Sequence, residues 1–209
     1  KVLADVQAAV EVDLSGIDER EREIVADGHA LTLHLVRPHG SRGRPPYFVF
    51  IHGGGWVLGD YPTHRRLVRD LVVESEVAAV FVDYTPSPEA KYPQAVDEIY
   101  AAVKWVAEND AELDLDRRRM ALVGNSAGGN MALAAALLAK KRHAPAVRAL
   151  VLLWPVTSAS SDWKSYALYG GERFLTAPLM KWMFDRYTTD ARAREEILLS
   201  PVNASRDEL

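Results

Sequence analysis

A mostly parallel α/β sheet with helices on both faces is the fold class the sequence predicts, and three observations predict it. Four short runs, residues 47–51, 77–82, 120–123 and 147–154, are rich in β-branched residues and apolar on both faces, as strands of a buried parallel sheet are. Between them lie stripes at helical spacing: Leu67, Val68, Leu71 and Val72, then Val96, Ile99, Val103 and Val106, then an Ala-rich stretch over residues 127–141. Strand and helix alternate strictly, and parallel neighbours require such helical crossovers. The composition supplies the core, since 48% of the 209 residues are hydrophobic and 26% are charged.

Taken in order, residues 1–20 are mixed, acidic and weakly helical, and are expected to form an N-terminal helical or cap segment. From Arg22 to Pro38 a hairpin is expected. Ile24 and Val25 lead into the turn dipeptide Asp27-Gly28, and Leu31, Leu33 and Leu35 follow at period two. Residues 40–46, made of Gly, Ser, Arg and Pro, carry the chain over the surface to the first parallel strand. Pro93 suits the first turn of the second helix. Past Trp154 the alternation stops, and residues 154–187 hold eight of the 18 aromatics in the chain. Leu179, Met180, Met183 and Phe184 fit one helix face there. This stretch reads either as a helical insertion packed on the sheet or as an apolar cap over a substrate pocket. The expected organisation is therefore residues 21–156 as core, 157–199 as a cap insertion and 200–209 as the start of the rest of the core.

Composition also excludes. A net charge of −4 gives no basic face for nucleic acid. The absence of Cys rules out disulfides, thiolate metal sites and a cysteine nucleophile. The longest apolar run, residues 131–139, has about half the roughly 20 residues that span a bilayer, so no stable membrane anchor is expected. No signal-peptide pattern follows Lys1, which makes a cytoplasmic location the expectation and places the natural start upstream. Asn203-Ala204-Ser205 is a sequon without secretory context, and the last four residues mimic a retention signal through truncation.

Two motifs carry chemistry. Gly124-Asn125-Ser126-Ala127-Gly128 joins the strand at 120–123 to the Ala-rich helix. A Ser on such a turn projects its hydroxyl from the sheet edge, flanking glycines leave room for neighbouring backbone, and the helix N-terminus offers free N–H groups beside developing negative charge. Taken alone, the turn could equally serve tight packing or phosphate binding. His52-Gly53-Gly54-Gly55-Trp56 follows the strand at 47–51. Three consecutive glycines imply unusual backbone angles or close approach by a ligand. Neither a Gly-Lys-Ser/Thr ending nor G-x-G-x-x-G accompanies them.

Together these motifs resemble the hormone-sensitive-lipase-like branch of the α/β-hydrolase superfamily, mostly carboxylesterases. Gly59, the segment Val82-Asp83-Tyr84 with Pro88-Glu89 and Tyr92-Pro93, Trp154-Pro155 and Ser200-Pro201 extend the resemblance from about Leu33 to the end of the chain. Thr85, Pro86 and Ser87 replace the Arg, Leu and Ala usual in the family, and Asn125 replaces the usual Asp before the Ser. The resemblance implies an α/β-hydrolase fold with a helical cap and Ser126 as nucleophile. It implies an oxyanion hole from the N–H groups of Gly54, Gly55 and Ala127, and a loop-shaping role for His52. Trp56, Trp154, Phe174 and Trp182 are the expected lining of a substrate pocket. The remaining histidines, His29, His34, His39, His64 and His143, lack metal-ligand spacing and are expected to be surface or packing residues.

A Ser hydrolase also needs a base and a carboxylate to orient it. After Ser126 the sequence holds one His, His143, at the far end of the helix that starts at the Ser. Asp162, Asp185, Asp190 and Asp207 fall in the cap or the terminal segment. In this family the acid and the His come on later strands, so both are expected beyond Leu209. The sheet is then truncated after about its sixth strand, with an open apolar edge over residues 147–154, and the chain is expected to be a fragment completed by the missing C-terminal segment.

The reading is a serine carboxylesterase acting on small to medium apolar acyl esters through an acyl-enzyme, with no cofactor or metal and a small-molecule ester as partner. The isolated fragment is expected to be inactive, and a homo-oligomer is compatible with the sequence. Two alternatives stay open: a non-catalytic small-molecule receptor on the same fold, and a related amidase, formamidase or peptidase.

Overall fold

The computed structural model describes residue 5, residues 9–171 and residues 174–208. Among these residues six strands form one mixed sheet: β1 (Ile17–Ala26), β2 (His29–Pro38), β3 (Tyr47–Ile51), β4 (Ala78–Asp83), β5 (Met120–Asn125) and β6 (Ala149–Leu153). Their spatial order is β1-β2-β4-β3-β5-β6. The hairpin β1–β2 turns where expected. Asp27 and Gly28 both have positive φ, 46° and 90°, as the tight turn matching strand twist requires. β2 lies antiparallel to β4, whereas β3, β4, β5 and β6 run parallel.

β1 begins at Ile17 rather than Arg22, so residues 17–20, expected in a weakly helical segment, are strand and pair with Leu35–Pro38 in β2. Their side chains are mostly charged and exposed, which erases any apolar periodicity and is how edge strands avoid pairing with other chains. Part of the expected N-terminal helical segment, residues 1–4 and 6–8, lies outside the described residues.

Helices cover both faces. α1 (Tyr61–Ser75) opens with a reciprocal cap, in which the Asp60 carboxylate accepts from the Thr63 N–H at 2.9 Å and the Thr63 hydroxyl oxygen accepts from the Asp60 N–H at 3.0 Å. It packs Val68 and Val72 on Phe48, Phe50, Ala79 and Phe81. α2 (Gln94–Glu108) and α3 (Ala127–Arg142) cover the other face, where Tyr47, Val49, Ile51, Val80, Val82 and Leu122 point. The strict alternation along β3, with Phe48 and Phe50 on one side and Tyr47, Val49 and Ile51 on the other, explains why the strand is apolar throughout.

β6 has the open edge expected over residues 147–154, but its side chains are less buried than expected of a strand apolar and covered on both faces. It pairs only with β5 among the described residues, and Leu150 and Val151 are 38% and 44% exposed. A groove of about 530 Å³ between this strand and α3 is lined by Leu133, Leu137, His143, Val147 and Leu150. Beyond β6, α4 (Lys164–Tyr169) and α5 (Ala177–Tyr187) follow, the second capped by Thr176, whose hydroxyl accepts from the Leu179 N–H at 3.3 Å. Among the described residues no helix is long and apolar enough to cross a membrane.

Candidate active site

β5 delivers the chain to Ser126, and α3 starts at the next residue. Ser126 has φ 54° and ψ −122°, a conformation that costs an L-residue on the order of 1–3 kcal/mol and persists only where its surroundings enforce it. The surroundings do enforce it. The Ser126 N–H donates to the Leu153 carbonyl at 2.9 Å, and its own carbonyl accepts from Asn130 at 3.1 Å and Val156 at 3.2 Å. A Cβ on Gly128 would run into the Ile51 carbonyl oxygen, so the turn lies flush against the end of β3 only with glycine at that position. The Ser126 side chain makes no cap bond to its own helix. Among the described residues no side chain is bonded to its Oγ.

The glycine loop leaves β3 directly beside this elbow. A Cβ on Gly53 would lie 2.5 Å from the Asn125 carbonyl oxygen and 3.1 Å from the Ser126 Cβ. Gly53 donates its N–H to the Asn125 Oδ1 at 2.9 Å, and its carbonyl accepts from His52 Nδ1 at 2.8 Å. In a trans peptide the carbonyl and the following N–H point oppositely, so fixing the Gly53 carbonyl on His52 turns the Gly54 N–H away from that ring. Among the described residues no acceptor engages the N–H groups of Gly54, Gly55 or Ala127. Three unpaired donors therefore belong to the glycine loop and to the first turn of α3, which abut at Gly53.

His52 is buried, its ring stacked on Tyr84 at 4.2 Å and on Phe81 at 5.5 Å. The Tyr84 hydroxyl donates to the His52 carbonyl at 3.0 Å. Burial lowers the His52 pKa to about 4, so the ring is neutral at pH 7, with Nδ1–H spent on the loop.

Trp56, read from the sequence as pocket lining, is instead 1% exposed. Its ring stacks on Tyr187 at 4.8 Å and meets Phe184 at 4.9 Å, so it pins the glycine loop beneath α5 rather than facing a ligand. Trp154, Phe174 and Trp182 are 69%, 95% and 43% exposed. None of the three lines the groove beside β6.

Three neighbours of the site carry no local signal in the sequence. Met183 on α5 lies where a Cβ on Gly55 would fall. Asn130, fully buried one turn after Ser126, donates Nδ2 to the carbonyls of Val156 and Leu199, both at 2.9 Å. His64, expected as surface or packing, places Nε2 3.4 Å from the Asn125 Nδ2. His143 ends α3, and a 16-residue helix puts it about 24 Å from Ser126. Asp185 is held by Lys181 at 2.6 Å and Arg194 at 2.7 Å.

Comparison with known proteins places this geometry. The family model described as alpha/beta hydrolase fold matches residues 48–209. An ethyl acetate hydrolase of Pseudomonas putida is 33% identical over 184 residues, which is 86% of this chain and 57% of that protein. A carboxylesterase of Mycobacterium tuberculosis is 37% identical over 147 residues, covering 70% of this chain and 46% of its own length. A crystal structure of a thermostable esterase from Pseudomonas putida superposes with a TM-score of 0.97 at 55% identity, over 99% of this chain and 65% of that one. The chain spans about half the length of these curated relatives. With three quarters of its residues inside the family model, the chain belongs to the α/β-hydrolase fold family, in its hormone-sensitive-lipase-like branch.

Proposed function

We propose that this chain carries the nucleophile and oxyanion hole of a serine carboxylesterase acting on small to medium apolar acyl esters. The observation that supports the reading is the contact between Gly53 and the Asn125-Ser126 elbow, which brings the glycine loop, with the unpaired N–H groups of Gly54 and Gly55, against the turn that carries Ser126 and Ala127. Ser126 Oγ attacks the ester carbonyl carbon, and its proton passes to a base. The resulting oxyanion accepts from Gly54, Gly55 and Ala127, each such donor contributing about 3 kcal/mol in the transition state. Collapse breaks the carbon–oxygen bond, the alcohol leaves with a proton, and water then releases the acid from the acyl-serine.

The base and its orienting carboxylate come from outside the described residues. The open apolar edge at β6 and the share of the relatives' length that this chain covers support that assignment. Residues 157–199 act as a cap, a role supported by α5 resting on the glycine loop through Met183 and Trp56. The relative named for ethyl acetate supports a short acyl substrate.

The test is hydrolysis of p-nitrophenyl butyrate by the full-length protein. Ser126→Ala is expected to lower kcat/KM by at least about 10⁴-fold. Turnover that survives the substitution removes Ser126 from the role of nucleophile.

A further inference from the structure

Asn125, the residue before the serine, makes contacts that fix the orientation of its amide. The Gly53 N–H can only donate, so the side-chain atom facing it is the amide oxygen, at 2.9 Å. That fixes the amide: its Nδ2, a donor, faces His64 Nε2 at 3.4 Å. His64 Nε2 must then accept, which leaves the ring proton on Nδ1. Two acceptors meet it there, the Asp60 carbonyl at 3.3 Å and the Thr63 hydroxyl at 3.2 Å. Donation thus runs in one direction from the Gly53 N–H, through Asn125 and His64, to the first turn of α1.

We propose that His64 is a positioning residue of the oxyanion loop: as the neutral Nδ1–H tautomer it accepts the Asn125 amide proton and so aims the Asn125 carbonyl at the Gly53 N–H. Gly53 is held on both sides, by Asn125 at its N–H and by His52 at its carbonyl, and the peptide so fixed carries the Gly54 N–H. Protonating His64 sets an Nε2–H donor against the Asn125 Nδ2–H₂ donor. Either the amide turns over and abandons Gly53, or the His64–Asn125 contact opens.

The surroundings favour the neutral ring. His64 lies 5.4 Å from His52, 6.1 Å from Phe50 and 6.4 Å from Phe81, ring centre to ring centre. Asp60 on its own helix is the carboxylate that favours the charged form, and burial outweighs it, holding His64 below the ordinary histidine range. His52, the other titratable group facing it, is neutral, and Asp83 acts on His52.

The role in turnover rests on the esterase reading, while the proton arrangement does not, so the two are tested apart. Long-range ¹H–¹⁵N spectra of the full-length protein, labelled at His and Gly, read the tautomer and the Gly53 amide together. At pH 7 His64 is expected as Nδ1–H, and on acidification the Gly53 amide shifts with the His64 midpoint. Asn125→Asp replaces the amide donor by a carboxylate and is expected to raise that midpoint by more than one pH unit. His64→Leu is expected to move the Gly53 amide at all pH values. His64→Gln, whose side-chain oxygen also accepts, restores its position without the titration. In turnover, kcat of His64→Leu is expected to fall roughly tenfold with KM little changed, and His64→Gln to recover most of it. An Nε2–H tautomer or an imidazolium at pH 7, or a Gly53 amide indifferent to His64 titration, overturns the proposal. Turnover that persists in Ser126→Ala with the spectra as expected sinks the esterase reading and leaves the relay standing.

Discussion

At the scale of single residues, His52 couples the glycine loop to pH. Its folded pKa is about 4 against about 6.5 in the unfolded chain, so the unfolded state takes up a proton first as acid is added. The stability tied to the neutral ring is full above pH 6.5 and drains as pH falls toward 4, a loss on the order of 3 kcal/mol. Urea unfolding at pH 7 and pH 4 is expected to show this loss in the native sequence and a smaller one in His52→Asn, whose amide can still donate to the Gly53 carbonyl. Which residues surround the serine was only partly legible. Gly53, Gly54, Asn125 and Ser126 announce themselves because turn chemistry is local and glycine marks close approach. His64, Asn130 and Met183 do not, since each reaches the site from a helix through a contact that spans the fold. Trp56, expected in the pocket lining, is buried for the same reason, by Tyr187 and Phe184 from far along the chain.

At the scale of elements, the hairpin turn and the four parallel strands follow from periodicity, and the start of β1 does not. Alternation can be read only where one face is apolar, and Asp18, Glu19, Arg20 and Glu21 offer no apolar face. The junction between β5 and α3 tolerates no added side-chain atom at Gly128. Gly128→Ala pushes a Cβ into the Ile51 carbonyl oxygen and the His52 carbonyl, both backbone atoms that cannot step aside. It is expected to cost roughly 4 kcal/mol or more, against about 0.5 kcal/mol or less for Gly171→Ala, where a Cβ meets open space. Denaturant midpoints of the two variants check this. Equal effects would mean that α3 does not sit against β3 as described.

For the whole molecule, two faces of the sheet are closed by helices while one border is not. β1 ends the sheet on the hairpin side with charge, and β6 ends it on the other with Leu150 and Val151 in contact with water. Unpaired apolar edges recruit other edges. The 209-residue polypeptide on its own is therefore expected to self-associate as concentration rises, and Val151→Lys to lower the association measured by sedimentation velocity. A chain that stays monomeric at high concentration without the substitution contradicts an exposed edge there. The layering was legible because each layer repeats its own period over many residues. The open border was legible only through the family resemblance, since residues 147–154 by themselves read the same whether or not a neighbour covers them.

The Ser126 N–H ends on Leu153 and its carbonyl accepts from Val156, so both backbone groups of one residue are pledged to the segment that leaves β6. The serine is thus a rivet between the sheet's interior and its border, and a loosening of the border travels to it through two hydrogen bonds. Deuterium uptake at that single amide is a gauge of how firmly the sixth strand is seated.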